Sequence, residues 1–179
     1  MDRHQLIDIP RIATPELLPV VQFAMERILA GGGRVLEFGS GHSTVWLAAL
    51  GADVHSVETR PSWKGEVEGG LEARGLSATI FLCKPGESHK PAHQYPDGSF
   101  DLVFVDGHQP DRFACAEAAR DKVKPGGWMV LDDAQWPVLK GAPQLLKGWH
   151  RTVVFGVHHR KSGISRPVET DFYRRPRAE

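Results

Sequence analysis

Short apolar runs alternate with helix-like segments along most of this chain. Five runs have the length and composition of buried strands: residues 35–38, 54–57, 78–83, 102–105 and 129–131. Four other segments have apolar residues at helical spacing: residues 43–50, 61–74, 112–123 and 138–149. Alternating strands and helices form βαβ units, whose strands are parallel and whose helices cover both faces of the sheet. The pattern therefore predicts an α/β fold with a doubly wound, mostly parallel sheet.

The two ends of the chain add further elements to this prediction. Thr14 followed by Pro15 is typical of a helix start, because the threonine hydroxyl can accept a free backbone N–H and proline suits the first helical position. The helix is expected to continue to about Leu29, after which consecutive glycines end it. Residues 152–157 and 168–173 predict a late pair of strands, so that the sheet ends on an antiparallel C-terminal strand.

Length and charge restrict the class of protein. At 179 residues the chain is long enough for one sizeable core and short for two, which predicts a single domain over residues 1–179. Lysine and arginine together number 22, as do aspartate and glutamate, so the charge balance indicates neither a nucleic-acid partner nor a membrane surface. No apolar stretch approaches the roughly 20 residues of a membrane span, and the first residues lack the layout of a secretory signal. A cytoplasmic location is therefore expected.

A glycine-containing turn follows the first of the buried runs. Gly39, Ser40 and Gly41 separate the strand that ends at Phe38 from a helix that starts near Ser43. Glycine allows a sharp turn and the close approach of a ligand, and the first N–H groups of the helix face the crevice at the strand end. This arrangement is typical of the nucleotide-binding corner of a doubly wound sheet.

Three residues around the turn indicate which ligand it holds. A dinucleotide-binding turn has a third glycine where this chain has Thr44, and the carboxylate of Glu37 would repel a diphosphate. A carboxylate suits a ligand with an ammonium and a sulfonium group, and S-adenosylmethionine (SAM) has both. Glu58 follows Glu37 by 21 residues. This is close to the roughly 20-residue offset at which an acid accepts hydrogen bonds from ribose hydroxyls.

Four stretches then follow one another in order: residues 35–44, Val57 with Glu58, residues 100–108 and residues 124–127. Together they resemble the class I SAM-dependent methyltransferases over residues 33–133. The resemblance implies a single-domain, Rossmann-like methyltransferase sheet. It also implies a set of cofactor contacts in this chain: Glu37, Phe38, Gly39, Ser40, Gly41, Ser43, Thr44, Glu58, Glu87 and Asp106. Glu87 belongs to this set because related enzymes place a residue after the third strand against the adenine ring.

Aspartates follow the fourth and fifth predicted strands. Asp106 comes after the fourth strand, and Asp132 and Asp133 come after the fifth. Because parallel strands end at one edge, the three should lie at the edge that holds the glycine turn. Carboxylates in this number suit Mg²⁺ or another divalent cation, and the pattern resembles the metal-dependent O-methyltransferases, catechol O-methyltransferase among them. The alternative is that Asp106 positions cofactor or substrate, Asp132 caps the next segment and Asp133 is solvated.

Asp106 and His108 are the candidate catalytic residues. Asp106 would hold a metal or the acceptor hydroxyl, and His108 would be a general base or a further metal ligand. The leading hypothesis is a SAM-dependent methyltransferase that methylates an oxygen of a small molecule, with divalent-metal assistance as an open question. Two alternatives stay open. One is a non-catalytic, methyltransferase-like module or partner subunit that binds the cofactor, and the other is an NAD(P)-dependent oxidoreductase.

A substrate pocket would need a wall that the motif region does not provide. Residues 84–99, with three prolines and two glycines, predict a long surface loop, and loops of this length are often functional. The candidates for the wall are this loop, residues 1–16 and a second subunit. A homodimer is therefore one expectation.

Overall fold

A computed structural model describes residues 17–159 and 165–177, and its centre is a seven-stranded sheet. The strands are β1 (Gly33–Phe38), β2 (Ala52–Glu58), β3 (Thr79–Leu82), β4 (Phe100–Val105), β5 (Val123–Leu131), β6 (His150–His159) and β7 (Ser165–Arg174). Their spatial order is β3-β2-β1-β4-β5-β7-β6. The strands from β3 to β5 are parallel, and β7 is antiparallel to both β5 and β6. The predicted mostly parallel sheet with one antiparallel C-terminal strand is confirmed.

The order of the strands reverses between β1 and β4. From β1 the chain moves outward through β2 and β3, and then returns to place β4 on the other side of β1. Connections that leave neighbouring strands in opposite directions open a crevice at the carboxyl edge of a parallel sheet, and ligands bind there. Phe38 at the end of β1 lies beside Val105 at the end of β4, so both chains leave the sheet at one level.

Within the described residues, α-helices cover both faces of the sheet: α1 (Pro19–Ile28), α2 (His42–Ala49), α3 (Pro61–Glu72), α4 (Arg112–Ala119) and α5 (Ala142–Leu145). Successive strand residues point to opposite faces. Val35 and Leu102 therefore belong to a core with α1, α2 and α3, whereas Leu36 and Val103 belong to a core with α4 and α5. No helix in this part of the chain has the length and hydropathy that a bilayer crossing requires.

The first helix begins later than predicted. α1 starts at Pro19, and Leu17 and Leu18 precede it in non-helical backbone. Proline favours the first helical position because its missing N–H would have no helical partner there, and Pro19 satisfies this rule. The predicted start at Thr14 lies outside the described residues.

The predicted helix over residues 138–149 is wrong in extent. A 3₁₀ turn at Pro137–Leu139 and the four-residue α5 are found there. Glycines at positions 141 and 148 and proline at 143 weaken a continuous helix, because glycine costs backbone entropy and proline has no N–H to donate.

The segment of residues 84–99 is only partly the predicted surface loop. It contains a 3₁₀ turn at Lys90–Gln94, in which Pro91 and Ala92 are buried. Ala92 belongs to the same hydrophobic core as Cys115 of α4. The middle of this segment is therefore anchored to the domain.

Candidate functional site

A cavity of about 640 Å³ opens at the carboxyl edge of the sheet, where β1 and β4 diverge. One wall is the turn after β1, the second is the end of β2 with the first turn of α3, and the third is the loop after β4. The candidate base His108 lines this cavity. So do most of the residues that were predicted to contact a cofactor: Phe38, Gly39, Ser40, Gly41, Ser43, Glu58 and Asp106. Glu37, Thr44 and Glu87 are not part of this lining.

Two glycines form the floor of the cavity. Gly39 has a φ of +102°, a conformation that glycine adopts without strain, and a Cβ there would lie 2.5 Å from the Cα of Gly107. A Cβ on Gly107 would in turn lie 2.9 Å from the carbonyl carbon of Phe38. The loops after β1 and β4 therefore touch backbone to backbone, and no side chain fits between them.

Glu37 lies beneath the turn rather than on the cavity wall. Its side chain is fully buried and accepts hydrogen bonds from the hydroxyls of Ser43, Thr44 and Ser56. Burial, which these hydrogen bonds only partly offset, raises the pKa of Glu37 to about 7. The structure thus differs from the predicted direct contact with a cationic cofactor. The observed carboxylate connects the end of β1 to the first turn of α2.

Thr44 occupies the position of the third glycine in a dinucleotide-binding turn. Its side chain is buried, and its Oγ1 accepts the N–H of Gly41 at 2.8 Å while donating to Glu37. The backbone donor of Gly41 is therefore satisfied within the protein. A diphosphate-binding turn directs such donors at its ligand, so this geometry disfavours a dinucleotide.

Glu58 ends β2 with its carboxylate on the cavity wall. Oε1 accepts the N–H groups of Thr59 and Arg60 at 2.7 and 2.8 Å, and Oε2 accepts the hydroxyl of Ser40 at 3.2 Å. The two backbone donors orient the carboxylate. Oε2, with one long hydrogen bond, keeps acceptor capacity for a ligand in the cavity.

Arg112 holds the loop after β4. Its buried guanidinium donates to the carboxylate of Asp106 at 2.8 Å and to the carbonyl oxygens of Asp106, Gly107 and Asp132 at 2.7 to 3.1 Å. These bonds connect the ends of β4 and β5. Burial and then the negative charge of Asp132 raise the pKa of Asp106, and the charge of Arg112 opposes this shift.

The three aspartates at the strand ends each have a partner of their own. Asp133 accepts two hydrogen bonds from Arg166 of β7, at 2.7 and 3.0 Å, and Asp132 accepts the hydroxyl of Thr170 at 2.7 Å. Asp106 is paired as described above. Among residues 17–159 and 165–177, no three His, Cys, Asp or Glu side chains are grouped as a metal site requires. The arrangement of these donors does not fit the predicted divalent cation.

His108 lies on the cavity wall beside a second carboxylate. Its Nδ1 is 3.5 Å from Oδ1 of Asp111, which is buried and also accepts the N–H of Gly86 and the hydroxyl of Ser88. Although burial opposes it, the hydrogen bonds from Ser88 and Gly86 hold the pKa of Asp111 below its usual range. Asp111 is therefore an ionised group that connects the loop after β3 to His108.

Glu87 lies outside the cavity. Its carboxylate forms an ion pair with Lys90 at 2.6 Å, at the exposed surface. The neighbouring Pro85 and Ser88 line the cavity instead. The predicted contact of Glu87 with adenine therefore differs from the observed position of the side chain.

Sequence reasoning missed Asp111, Arg112 and Arg166. Arg112 had a local signal, because a positive side chain at a helix start is unfavourable beside the positive end of the helix and needs another reason to be there. Arg166 had none. It pairs with a residue 33 positions earlier in the chain, and only the antiparallel β7 brings the two together.

A family model described as a methyltransferase domain matches residues 36–134, more than half of the chain. This chain belongs to that family. The matched stretch of the methyltransferase domain runs from β1 to just beyond β5 and includes the three cavity walls described above, whereas Leu17 lines the cavity from outside this stretch. A curated relative, Methyltransferase str3 of Strobilurus tenacellus, is 32% identical in an alignment of 108 residues that covers 56% of this chain. The aligned part is 35% of the relative, so the chain spans about a third of the relative's length.

Solved structures share the fold of this methyltransferase domain. The O-methyltransferase TomG from Streptomyces achromogenes, in complex with SAM, has a TM-score of 0.68 and 18% identity, covering 95% of this chain and 85% of TomG. The O-methyltransferase from Bacillus cereus, in complex with SAH, has a TM-score of 0.68 and 17% identity, covering 94% of this chain and 86% of that enzyme. The predicted Rossmann-like methyltransferase fold is confirmed.

Proposed function

We propose that this domain binds SAM in the cavity between β1 and β4 and transfers its methyl group to an oxygen of a small molecule. Membership in the methyltransferase-domain family supports methyl transfer. The TomG and Bacillus cereus structures, which are O-methyltransferases in complex with SAM and SAH, support the cofactor and oxygen as the acceptor atom.

The position of Glu58 is the observation that carries the proposal. Its carboxylate is 5% exposed and lies between the glycine turn and the start of α3, held by two backbone donors. The two hydroxyls of a ribose can both donate to one carboxylate, and hydrogen bonds to a charged group contribute about 1.5–3 kcal/mol each. Glu58 would therefore bind the ribose of the cofactor.

The glycine turn would bind the rest of the cofactor. Gly39 and Gly107 leave the cavity floor without side chains, which allows a ligand to approach the backbone. Bound SAM supplies a methyl group on a positively charged sulfur. Asp106 lines the cavity beside this floor, where its side chain would position cofactor or substrate.

His108 would accept the proton of the acceptor hydroxyl. The ionised Asp111 beside Nδ1 favours the tautomer that carries hydrogen on Nδ1, and Nε2 can then accept a proton. The chain would otherwise accelerate transfer by orientation, since methyl transfer requires the acceptor oxygen in line with the carbon–sulfur bond.

Calorimetry tests the cofactor assignment. The wild-type protein is expected to bind SAM and its demethylated product, and Glu58→Gln to weaken binding of the product by roughly tenfold or more, since one charge-assisted hydrogen bond is weakened. Asp53→Asn changes an exposed carboxylate on the same strand and is expected to bind as the wild type does. Absence of binding to both ligands, or stabilisation by NADP alone, would refute the proposal.

Transfer of a labelled methyl group to a panel of hydroxyl and amine acceptors tests the reaction. His108→Gln is expected to keep its affinity for the demethylated product and to lose about 10²- to 10⁴-fold in turnover, the usual contribution of a general base. Tight SAM binding by the wild type without transfer to any acceptor would instead favour a non-catalytic cofactor-binding module. The homodimer and the cytoplasmic location stay predictions.

A further inference from the structure

The carboxylate pairs at the ends of β4 and β5 lead to an inference that rests on the proposed function. Arg166 donates to Asp133 with both terminal guanidinium nitrogens, Nη1 to Oδ1 at 2.7 Å and Nη2 to Oδ2 at 3.0 Å. Such a bidentate pair is among the strongest side-chain contacts and uses both oxygens of the carboxylate. A metal ion at Asp133 would have to share these oxygens with a guanidinium, whose positive charge would repel it.

Arg112 holds the carboxylate of Asp106 by a single hydrogen bond rather than by a bidentate pair. Its Nη2 lies 2.8 Å from Oδ1 of Asp106, and its side chain is buried and further fixed by the carbonyl oxygens of Gly107 and Asp132. A divalent cation on Asp106 would lie within a few ångströms of this fixed positive charge. The repulsion would be strong because few water molecules reach the group to screen it.

The two arginines also supply the charge that a metal would supply. Guanidinium groups stay protonated at all ordinary pH values, so Arg112 and Arg166 together carry the charge of one Mg²⁺. Their hydrogen bonds are directed at fixed oxygen atoms. The hydrogen bond with Asp133 is the largest cause that raises the pKa of Arg166, and the charges of Asp132 and Asp106 act in the same direction.

We propose that Arg112 and Arg166 take the place of a divalent cation at this edge. Their hydrogen bonds would connect the strand ends, and their positive charges would offset the negative charge of the aspartates without a metal. The aspartate pattern resembles that of the metal-dependent O-methyltransferases. In those enzymes a metal ion would balance the carboxylates, whereas in this chain two arginines would do so. Methyl transfer by this domain would be independent of Mg²⁺.

Mn²⁺ binding, measured by electron paramagnetic resonance without cofactor or acceptor, tests this proposal. The wild-type protein is expected to show no saturable Mn²⁺ binding, and Arg166→Ala to gain one site, because Asp133 loses its paired guanidinium and Asp132 lies next to it in the chain. Arg166→Lys keeps a positive charge and is expected to bind no Mn²⁺. Lys124→Ala is the matched control, since it frees the single carboxylate of Asp101 from an ion pair of 2.9 Å.

Adding Asp132→Asn to Arg166→Ala is expected to remove the new Mn²⁺ site. This result would show that Asp132 is one of its ligands. Saturable Mn²⁺ binding by the wild type that Asp133→Asn abolishes would overturn the proposal, as would a folded Arg166→Ala without Mn²⁺ binding. Circular dichroism reports folding. If Arg166→Ala does not fold, Arg166→Met replaces it. If neither variant folds, the Mn²⁺ titration of the wild type tests the proposal by itself.

A separate assay connects the inference to activity. Methyl transfer by the wild type is expected to be unchanged by EDTA, and a loss of activity in EDTA that Mg²⁺ restores would contradict the proposal. Because the Mn²⁺ titration needs no cofactor, it can succeed even if SAM binding fails. The two proposals can therefore fail independently.

Discussion

Replacing Glu37 by glutamine tests the physical account of the turn beneath the cavity. Glu37 is fully buried among three hydroxyl donors, and burial raises its pKa from 4.5 to about 7. Between these two pH values the folded protein keeps a proton on Glu37 that the unfolded chain has released. The folded state therefore binds more protons, and its stability decreases as pH rises through this window.

The magnitude follows from the two pKa values of Glu37. The difference between 4.5 and about 7 corresponds to about 3 kcal/mol of stability, which is present below pH 4.5 and lost once the pH exceeds 7. Between pH 5 and pH 8 the loss is about 2.5 kcal/mol. Glutamine cannot ionise, so Glu37→Gln should lack this part of the pH dependence. In a domain of this size the difference corresponds to roughly 5 to 10 °C in melting temperature.

Urea unfolding of the wild type and of Glu37→Gln at several pH values from 5 to 8.5 measures this difference. The advantage of the wild type over the variant is expected to shrink by about 2.5 kcal/mol across the range. Glu66→Gln, an exposed change on α3, is expected to follow the wild-type curve. Parallel curves for the wild type and Glu37→Gln would refute the reasoning. A wild-type advantage that grows with pH would show that the hydroxyl donors outweigh burial.

Three further substitutions test the backbone and the charges around the cavity. Gly39→Ala places a Cβ 2.5 Å from Gly107 at a positive φ and should lower the free energy of unfolding by at least about 2 kcal/mol, whereas Gly65→Ala in α3 meets open space and should raise it by about 0.5–1 kcal/mol. Urea unfolding separates the two, and equal effects would show that the close approach of the loops is unimportant. Arg112→Lys should cost about 1–3 kcal/mol, because lysine keeps the charge but cannot reproduce the four hydrogen bonds of the buried guanidinium. A melting temperature near that of the wild type would contradict this.

The sheet could be predicted from the sequence because its signals are local. Strands buried on both faces are continuous apolar runs. Residues 102–105 and 129–131 are such runs, and they therefore predict β4 and β5. The position of Glu58 at the cavity also followed from the chain, because a parallel strand of known length ends at a known edge. The helix predicted over residues 138–149 failed where Gly141, Pro143 and Gly148 made the helical signal weak.

The roles of individual carboxylates could not be predicted in the same way. Glu37, Glu58 and Asp106 all lie within one residue of a strand end at the same edge, yet the fold buries Glu37 beneath the turn and leaves the other two on the cavity wall. The direction of each side chain depends on the twist of the sheet and on which hydroxyls lie nearby. Ser56, which donates to Glu37, lies on a neighbouring strand and has no relation to Glu37 in local sequence.

The sequence by itself determined that this chain forms a doubly wound α/β domain with a glycine turn and an acid at successive strand ends. These features depend on residues that are neighbours along the chain or are repeated with a regular period. Only the tertiary structure decided that Arg112 pairs with Asp106 and that Arg166 pairs with Asp133 at the edge of the site. Such pairs join residues brought together by packing of separate elements, and the energy of a charge depends on its whole surroundings rather than on its neighbours in sequence.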